Sequence, residues 1–183
     1  DIRKLIDSII DKHNNKSIFY QKHMTHHILR NTPLDWIKSG INCFLIRDPK
    51  DVINSYIKKH KLYTSDDLGY PAQLKLFNII NKIEKKPIVI NADNLSKNPK
   101  KAIIELCKKI KIPFDLKMLN WPLGKRQTDG LWEKVWYKNV QTSTKFDRLS
   151  KDENDIPKQY YSIYEECLEI YKKLNKYDIL NGK

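Results

Sequence analysis

Cys43-Phe-Leu-Ile-Arg47-Asp48-Pro49-Lys-Asp51-Val-Ile-Asn-Ser55 decides how this chain folds, because an apolar run stops at an arginine and the chain restarts as a capped helix. The run before Arg47 suits a buried strand. Asp48 is placed to act as N-cap, Pro49 takes the first helical position, and Asp51 falls near the N3 slot of a capping box. A strand that runs into a helix N-terminus in this way gathers backbone N–H groups, the positive end of a helix dipole and a guanidinium around one point. That is the equipment of an anion site. Ser55, on the second helical turn, adds a hydroxyl.

Outward from this corner, strand and helix patterns alternate. Ile2, Leu5, Ile6, Ile9 and Ile10 recur at helical spacing and predict an opening amphipathic helix. Residues 17–22 read as a strand, residues 33–37 as a short helical or irregular link, and residues 41–46 as a second strand. The stretch 62–69 is polar and loop-like. Pro71 opens a helix carrying Leu74, Phe77, Ile80 and Ile83, and residues 87–91 form a third strand with a buried type of apolar run. Asn98 and Pro99 begin a helix whose Ala102, Ile103, Leu106, Cys107 and Ile110 make one stripe. The closing helix, over 157–176, buries Tyr160, Ile163, Tyr164, Cys167, Leu168, Tyr171 and Leu174. Strands alternating with helices of this length imply right-handed crossovers, hence an α/β three-layer sandwich with a mainly parallel sheet flanked by helices. The irregular, aromatic stretch 121–146, with Trp132, Trp136 and Tyr137, is too long for an ordinary connection and is expected to be functional.

A chain of 183 residues supports one domain with a real core, taken as 1–183. No apolar run approaches the ~20 residues that span a bilayer, and the first residues do not resemble a signal peptide, so a soluble, cytoplasmic protein is expected. Cys43, Cys107 and Cys167 are widely spaced and read as small buried residues of a reducing compartment, with neither disulfides nor zinc. The net charge of +13 invites a polyanion partner, but five of the 35 basic residues are arginine and the rest are lysines scattered through every segment. A nucleic-acid partner is therefore disfavoured. The five arginines, Arg3, Arg30, Arg47, Arg126 and Arg148, are the places where a planar fork is wanted.

A nucleotide-binding α/β domain normally carries a glycine loop after its first strand. Neither G-x-x-x-x-G-K-[ST] nor G-x-G-x-x-G occurs among these residues. A leading strand, loop and helix are thus expected to lie outside them, an expectation that a complete, covered sheet beside the Arg47 strand would remove.

The motifs together resemble the sulfotransferase family, enzymes of P-loop NTPase-like fold that move a sulfuryl group from the donor PAPS (3′-phosphoadenylyl sulfate). In that family a strand ends in R-[DN]-P-x-D-V-x-x-S, and Arg47 and Ser55 hold the positions of the arginine and serine that bind the donor's 3′-phosphate. The stretch Ile88-Val-Ile-Asn-Ala-Asp93-Asn-Leu95, then Asn98-Pro99 and Ile112-Pro-Phe114, is similar to a structural segment of the family. Many members have a strand ending K-x-H whose histidine is the general base, and His23 falls there, with Gln21 in the lysine's place and Lys22 one residue out of register. The phosphate loop R-K-G-x-x-G-[DN]-W resembles Lys125-Arg126-Gln127-Thr-Asp-Gly130-Leu131-Trp132. Gln127 and Leu131 depart from it. The likeness is greatest to a bacterial subgroup of sulfotransferase-like proteins, and the 5′-phosphosulfate loop has no counterpart here.

The resemblance implies transfer from PAPS to a hydroxyl or amine of a small-molecule or glycan acceptor. His23 would be catalytic, Arg47, Ser55, Lys125, Arg126, Gly130 and Trp132 would bind the donor, and no metal would be needed. Each assignment has a plainer rival. Strand-to-helix caps with Asp-Pro arise for local reasons alone, His23 with His26 and His27 has a metal-like spacing without acidic or Cys partners nearby, and Trp132 is as apt for a core as for stacking on adenine. Two other functions stay open: a P-loop kinase-like phosphotransferase using ATP, and a non-catalytic polyanion-binding module.

Overall fold

A computed structural model describes residues 18, 20–25, 28, 31–83, 87–126, 129, 137–149 and 154–181. The predicted opening helix, His26, His27, Gly130, Trp132 and Trp136 lie outside the described residues.

The predicted α/β arrangement is present. Strands β1 (Cys43–Ile46) and β2 (Ile88–Asn91) pair in parallel, with Cys43 opposite Ile88 and Ile46 opposite Asn91. Parallel neighbours need a crossover, and here it contains helix α1 (Pro49–Tyr56), a 3-10 turn (Ser65–Leu68) and helix α2 (Tyr70–Lys82). After β2 come α3 (Ala92–Lys97) and α4 (Pro99–Ile110), then α5 (Lys138–Gln141) and α6 (Tyr161–Asn175). Helices cover the sheet because its apolar side chains have nowhere else to be dry.

One core cluster joins Phe44 and Ile46 of β1 and Val89 of β2 to Leu76, Phe77 and Ile80 of α2 and Cys167, Ile170 and Leu174 of α6. Phe44 meets Phe77 edge to face at 5.9 Å. Of the face predicted for α6, Cys167 and Leu174 are buried and the other five residues are half-buried, while Ile170, not predicted, is buried as well. A second cluster, Ile53, Leu62 and Ile156, lies under α1 and draws Leu62 out of the stretch read as polar loop. Within that stretch Asp67 Oδ2 accepts from the N–H groups of Tyr63 and Thr64, at 2.8 and 3.0 Å, and so organises the 3-10 turn.

The two strands are covered unequally. All four residues of β2 are buried, and the bridge between Val89 and Asp178, with Ile179 N–H donating to the Val89 carbonyl at 3.0 Å, occupies its outer edge. Along β1, burial alternates: Phe44 and Ile46 are inside, Cys43 and Leu45 outside. Cys43 is thus exposed, contrary to the expectation that all three cysteines are buried, because it occupies the uncovered face of an alternating strand. The sheet beside the Arg47 strand is not complete among the described residues.

Residues 18 and 20–22, read as a strand, belong to no strand, and Ile18 and Tyr20 are 55% and 81% exposed. The consecutive Ile18, Phe19 and Tyr20 favour a strand by residue type, but a strand also needs an edge to pair with. On the free side of β1 the Leu45 carbonyl already accepts from Gln73 Nε2 at 2.9 Å, and the next outward carbonyl, that of Arg47, accepts from the Tyr70 hydroxyl at 2.8 Å.

Candidate functional site

The Arg47 corner forms as its sequence dictates. Asp48 Oδ1 accepts from the Lys50 N–H at 2.9 Å, Pro49 sits at the first helical position, and the Val52 N–H closes the first turn on the Asp48 carbonyl. Two first-turn positions therefore offer no free N–H: Pro49 has none, and that of Lys50 is used. The donors left at this corner are thus those of the guanidinium more than those of the backbone.

Arg47 reaches back along α1, where its Nη2 lies 3.8 Å from Asp51 Oδ2. Asp51 is 5% exposed and Arg47 34%, so the pair has one foot in the core and one in solvent. Arg47 Nε is buried without a hydrogen-bond partner. A guanidinium presents five N–H donors, and one long ion pair leaves most of that capacity for an oxyanion. Ser55 follows Asp51 by one helical turn and is exposed, so Arg47, Asp51 and Ser55 follow one stripe of the helix surface.

His23 stands on an exposed segment whose backbone is neither helix nor strand. Its Nε2 is 2.8 Å from Gln21 Oε1, and its ring lies 5.0 Å from that of Trp36, centroid to centroid. An amide oxygen can only accept, so with that oxygen facing the ring Nε2 carries the proton and Nδ1 keeps the lone pair of a base. Partial burial holds the imidazole below its ordinary 6.5, favouring the neutral ring. Gln21, which stands where the family motif has a lysine, is thus the side chain in hydrogen-bond contact with the His23 ring.

Lys125 and Arg126 are exposed on a loop that closes on itself. Asn120 bridges Lys145 in antiparallel fashion, the Trp121 N–H donates to the Thr144 carbonyl at 2.9 Å, and Trp121 meets Phe146 edge-on at 5.2 Å. Gly124 has a φ of +94°, a conformation that favours glycine, and its N–H donates to the Gln141 carbonyl at 2.8 Å. Arg126 and Asp129 then form a tight turn: the Arg126 N–H donates to Asp129 Oδ2, and the Asp129 N–H to the Arg126 carbonyl, both at 3.0 Å. Among the described residues the candidates therefore stand in three places: Arg47 and Ser55 at the β1–α1 turn and on α1, His23 on its own segment, and Lys125 and Arg126 on this loop.

Two residues at the corner escaped the reading of the sequence. Tyr70 and Gln73 cap the outward carbonyls of β1 from the first turn of α2. Their spacing of three places them on one helical face, but nothing local links that face to a strand more than 20 residues earlier. Among the described residues no group of three or more His, Cys, Asp or Glu is gathered as a metal site.

Comparison with known proteins gives a match to the family described as "Sulfotransferase domain" over residues 4–174. Two relatives from Arabidopsis thaliana, "Branched-chain-amino-acid aminotransferase-like protein 2" and "Branched-chain-amino-acid aminotransferase-like protein 1", are each 29% identical over 174 residues. The matched region is 95% of this chain and 31% of either relative, so the chain spans about a third of their length. No solved structure matches it.

Proposed function

This chain belongs to the sulfotransferase family, and from that premise we propose that it forms the 3′-phosphate-binding and acceptor-activating part of a PAPS-dependent sulfotransferase. The observation that carries the reading is the corner itself: Arg47-Asp-Pro-Lys-Asp-Val-Ile-Asn-Ser55 on a strand-to-helix turn, with an arginine whose buried Nε lacks a partner. Those donors fit a phosphate. Arg47 grips it as a fork, the Ser55 hydroxyl donates from the next turns of α1, and Lys125, Arg126, Gly130 and Trp132 complete the donor site from the second loop.

The donor, when bound, supplies an activated sulfuryl group whose leaving group is a phosphate. This chain's residues do the rest. His23, neutral near pH 7, takes the proton from the acceptor hydroxyl at Nδ1, while Gln21 holds Nε2 and keeps the ring oriented. Transfer of this kind has a loose transition state, so positioning and charge neutralisation dominate. No metal is assigned a role.

The residues for the donor's 5′-phosphosulfate lie, in this reading, on a segment outside these 183 residues. The absence of a glycine phosphate loop from the sequence supports it. The isolated chain then binds the bisphosphate product without turning over PAPS.

A thermal-shift titration with 3′,5′-bisphosphoadenosine, AMP and ATP tests the reading. A stabilisation by the bisphosphate that AMP and ATP do not reproduce is expected. Equal shifts from all three, or none, would remove the 3′-phosphate clamp.

A further inference from the structure

The junction between the 3-10 turn and α2 touches both halves of the proposed site. Thr25, two residues after His23, donates its hydroxyl to the Gly69 carbonyl at 3.1 Å. The next residue, Tyr70, donates its own hydroxyl to the Arg47 carbonyl at 2.8 Å. Neither contact is local, since 44 residues separate the first pair and 23 the second. Gly69 has a φ of +77°, a backbone state that other residues rarely adopt, so the two bonds leave from a chain reversal of fixed shape. Tyr70 is 4% exposed and belongs to the main core cluster, which makes it a rigid post. Burial pushes its phenol far above the ordinary range, so it remains a donor at every working pH.

We infer that the Gly69–Tyr70 junction is a positioning element that holds the His23 segment and the Arg47 turn in one fixed relation. The inference rests on the sulfotransferase reading for its purpose, since a general base and a phosphate clamp act together only at a set separation. Gln73, one turn along α2, strengthens the post by capping the Leu45 carbonyl at 2.9 Å. Tyr70 itself touches neither reactant. It acts through the backbone of Arg47, whose side chain leaves from the carbon next to the carbonyl that Tyr70 holds.

Tyr70→Phe removes one hydroxyl and keeps the core filled. In this variant the affinity for 3′,5′-bisphosphoadenosine, measured by calorimetry, is expected to fall about fivefold, the usual weight of one hydrogen bond. The Arg47 Nε–H resonance and the His23 ring resonances, read by nitrogen-15 NMR without ligand, are both expected to move. Thr25→Val should move the same two signals, and Thr25→Ser, which keeps the hydroxyl, should restore them.

A folded Tyr70→Phe protein whose His23 resonances match the wild type overturns the inference, whatever its affinity. Should Tyr70→Phe not fold, Thr25→Val decides: an unmoved Arg47 Nε–H signal overturns it equally. Failure of the wild type to bind the bisphosphate would sink the sulfotransferase reading instead. The junction would still be judged by the ligand-free spectra.

Discussion

The carboxyl ends of β1 and β2 lie side by side in the same register, yet they are finished in opposite ways. β2 ends in Asn91, 3% exposed, with every polar group of its side chain engaged. Its Nδ2 donates to the Tyr171 hydroxyl at 2.8 Å and to Asn175 Oδ1 at 2.7 Å, while its Oδ1 accepts from the Asp93 N–H at 2.8 Å. Its own N–H donates to Asp178 Oδ1, and Asn94 Nδ2 donates to the other oxygen of that carboxylate at 2.7 Å. β1 ends at Ile46 and is followed at once by Arg47, a third exposed, with one long ion pair and an unpartnered Nε. A buried polar network that is complete specifies structure, whereas the donor beside it keeps unused hydrogen-bonding capacity.

The sharpest way to break this contrast is to damage the finished end. Asn91→Ala leaves several buried groups without partners and is expected to cost about 3 kcal/mol of stability in urea unfolding. Bisphosphate affinity per folded molecule should stay unchanged. Arg47→Lys should do the reverse: the charge beside Asp51 is kept and stability is held within about 1 kcal/mol, but loss of the fork lowers bisphosphate affinity about tenfold. If Arg47→Lys bound as well as the wild type, the unfinished end would have no claim as a clamp. Ser55→Ala, on the same stripe of α1 and exposed, should lower affinity about fivefold with almost no change in unfolding midpoint.

The smallest effect is one of pH. His23 has its native pKa below the free value because burial disfavours the imidazolium. The unfolded chain therefore binds the proton first as pH falls, so the contribution of this residue to stability is present above pH 6.5 and is lost progressively below it. For the same reason, in a preparation that turns over, the acid limb of kcat/KM should lie below pH 6.5, and its disappearance in His23→Gln would assign it.

How much of this the sequence disclosed follows from the range of each interaction. The Arg47 corner is spelled within 13 consecutive residues, and strand, cap and helix came out as read. The finished end of β2 was invisible, because Asn91 meets partners 80 to 87 residues away and an asparagine carries no sign of such an appointment. Residues 18 and 20–22, inside the predicted strand 17–22, show the opposite failure. Their β-branched and aromatic residues favour a strand, but a strand is a relation between two segments, and residue type reports on one. Cys43 was misjudged for a related reason: its type favours burial, yet its parity along β1 places it on the open face.

The bonding of Asn91 also bears on how the protein comes to be. During synthesis β2 emerges long before the residues that finish it, for Asp178 stands 87 residues after Asn91. Until they leave the ribosome, the nascent chain carries an apolar strand with one unclosed edge, the state most prone to pair with a neighbour. Closure of the β2 edge is therefore gated by the segment around Asp178 and Ile179, and a chain cut before it keeps that edge open.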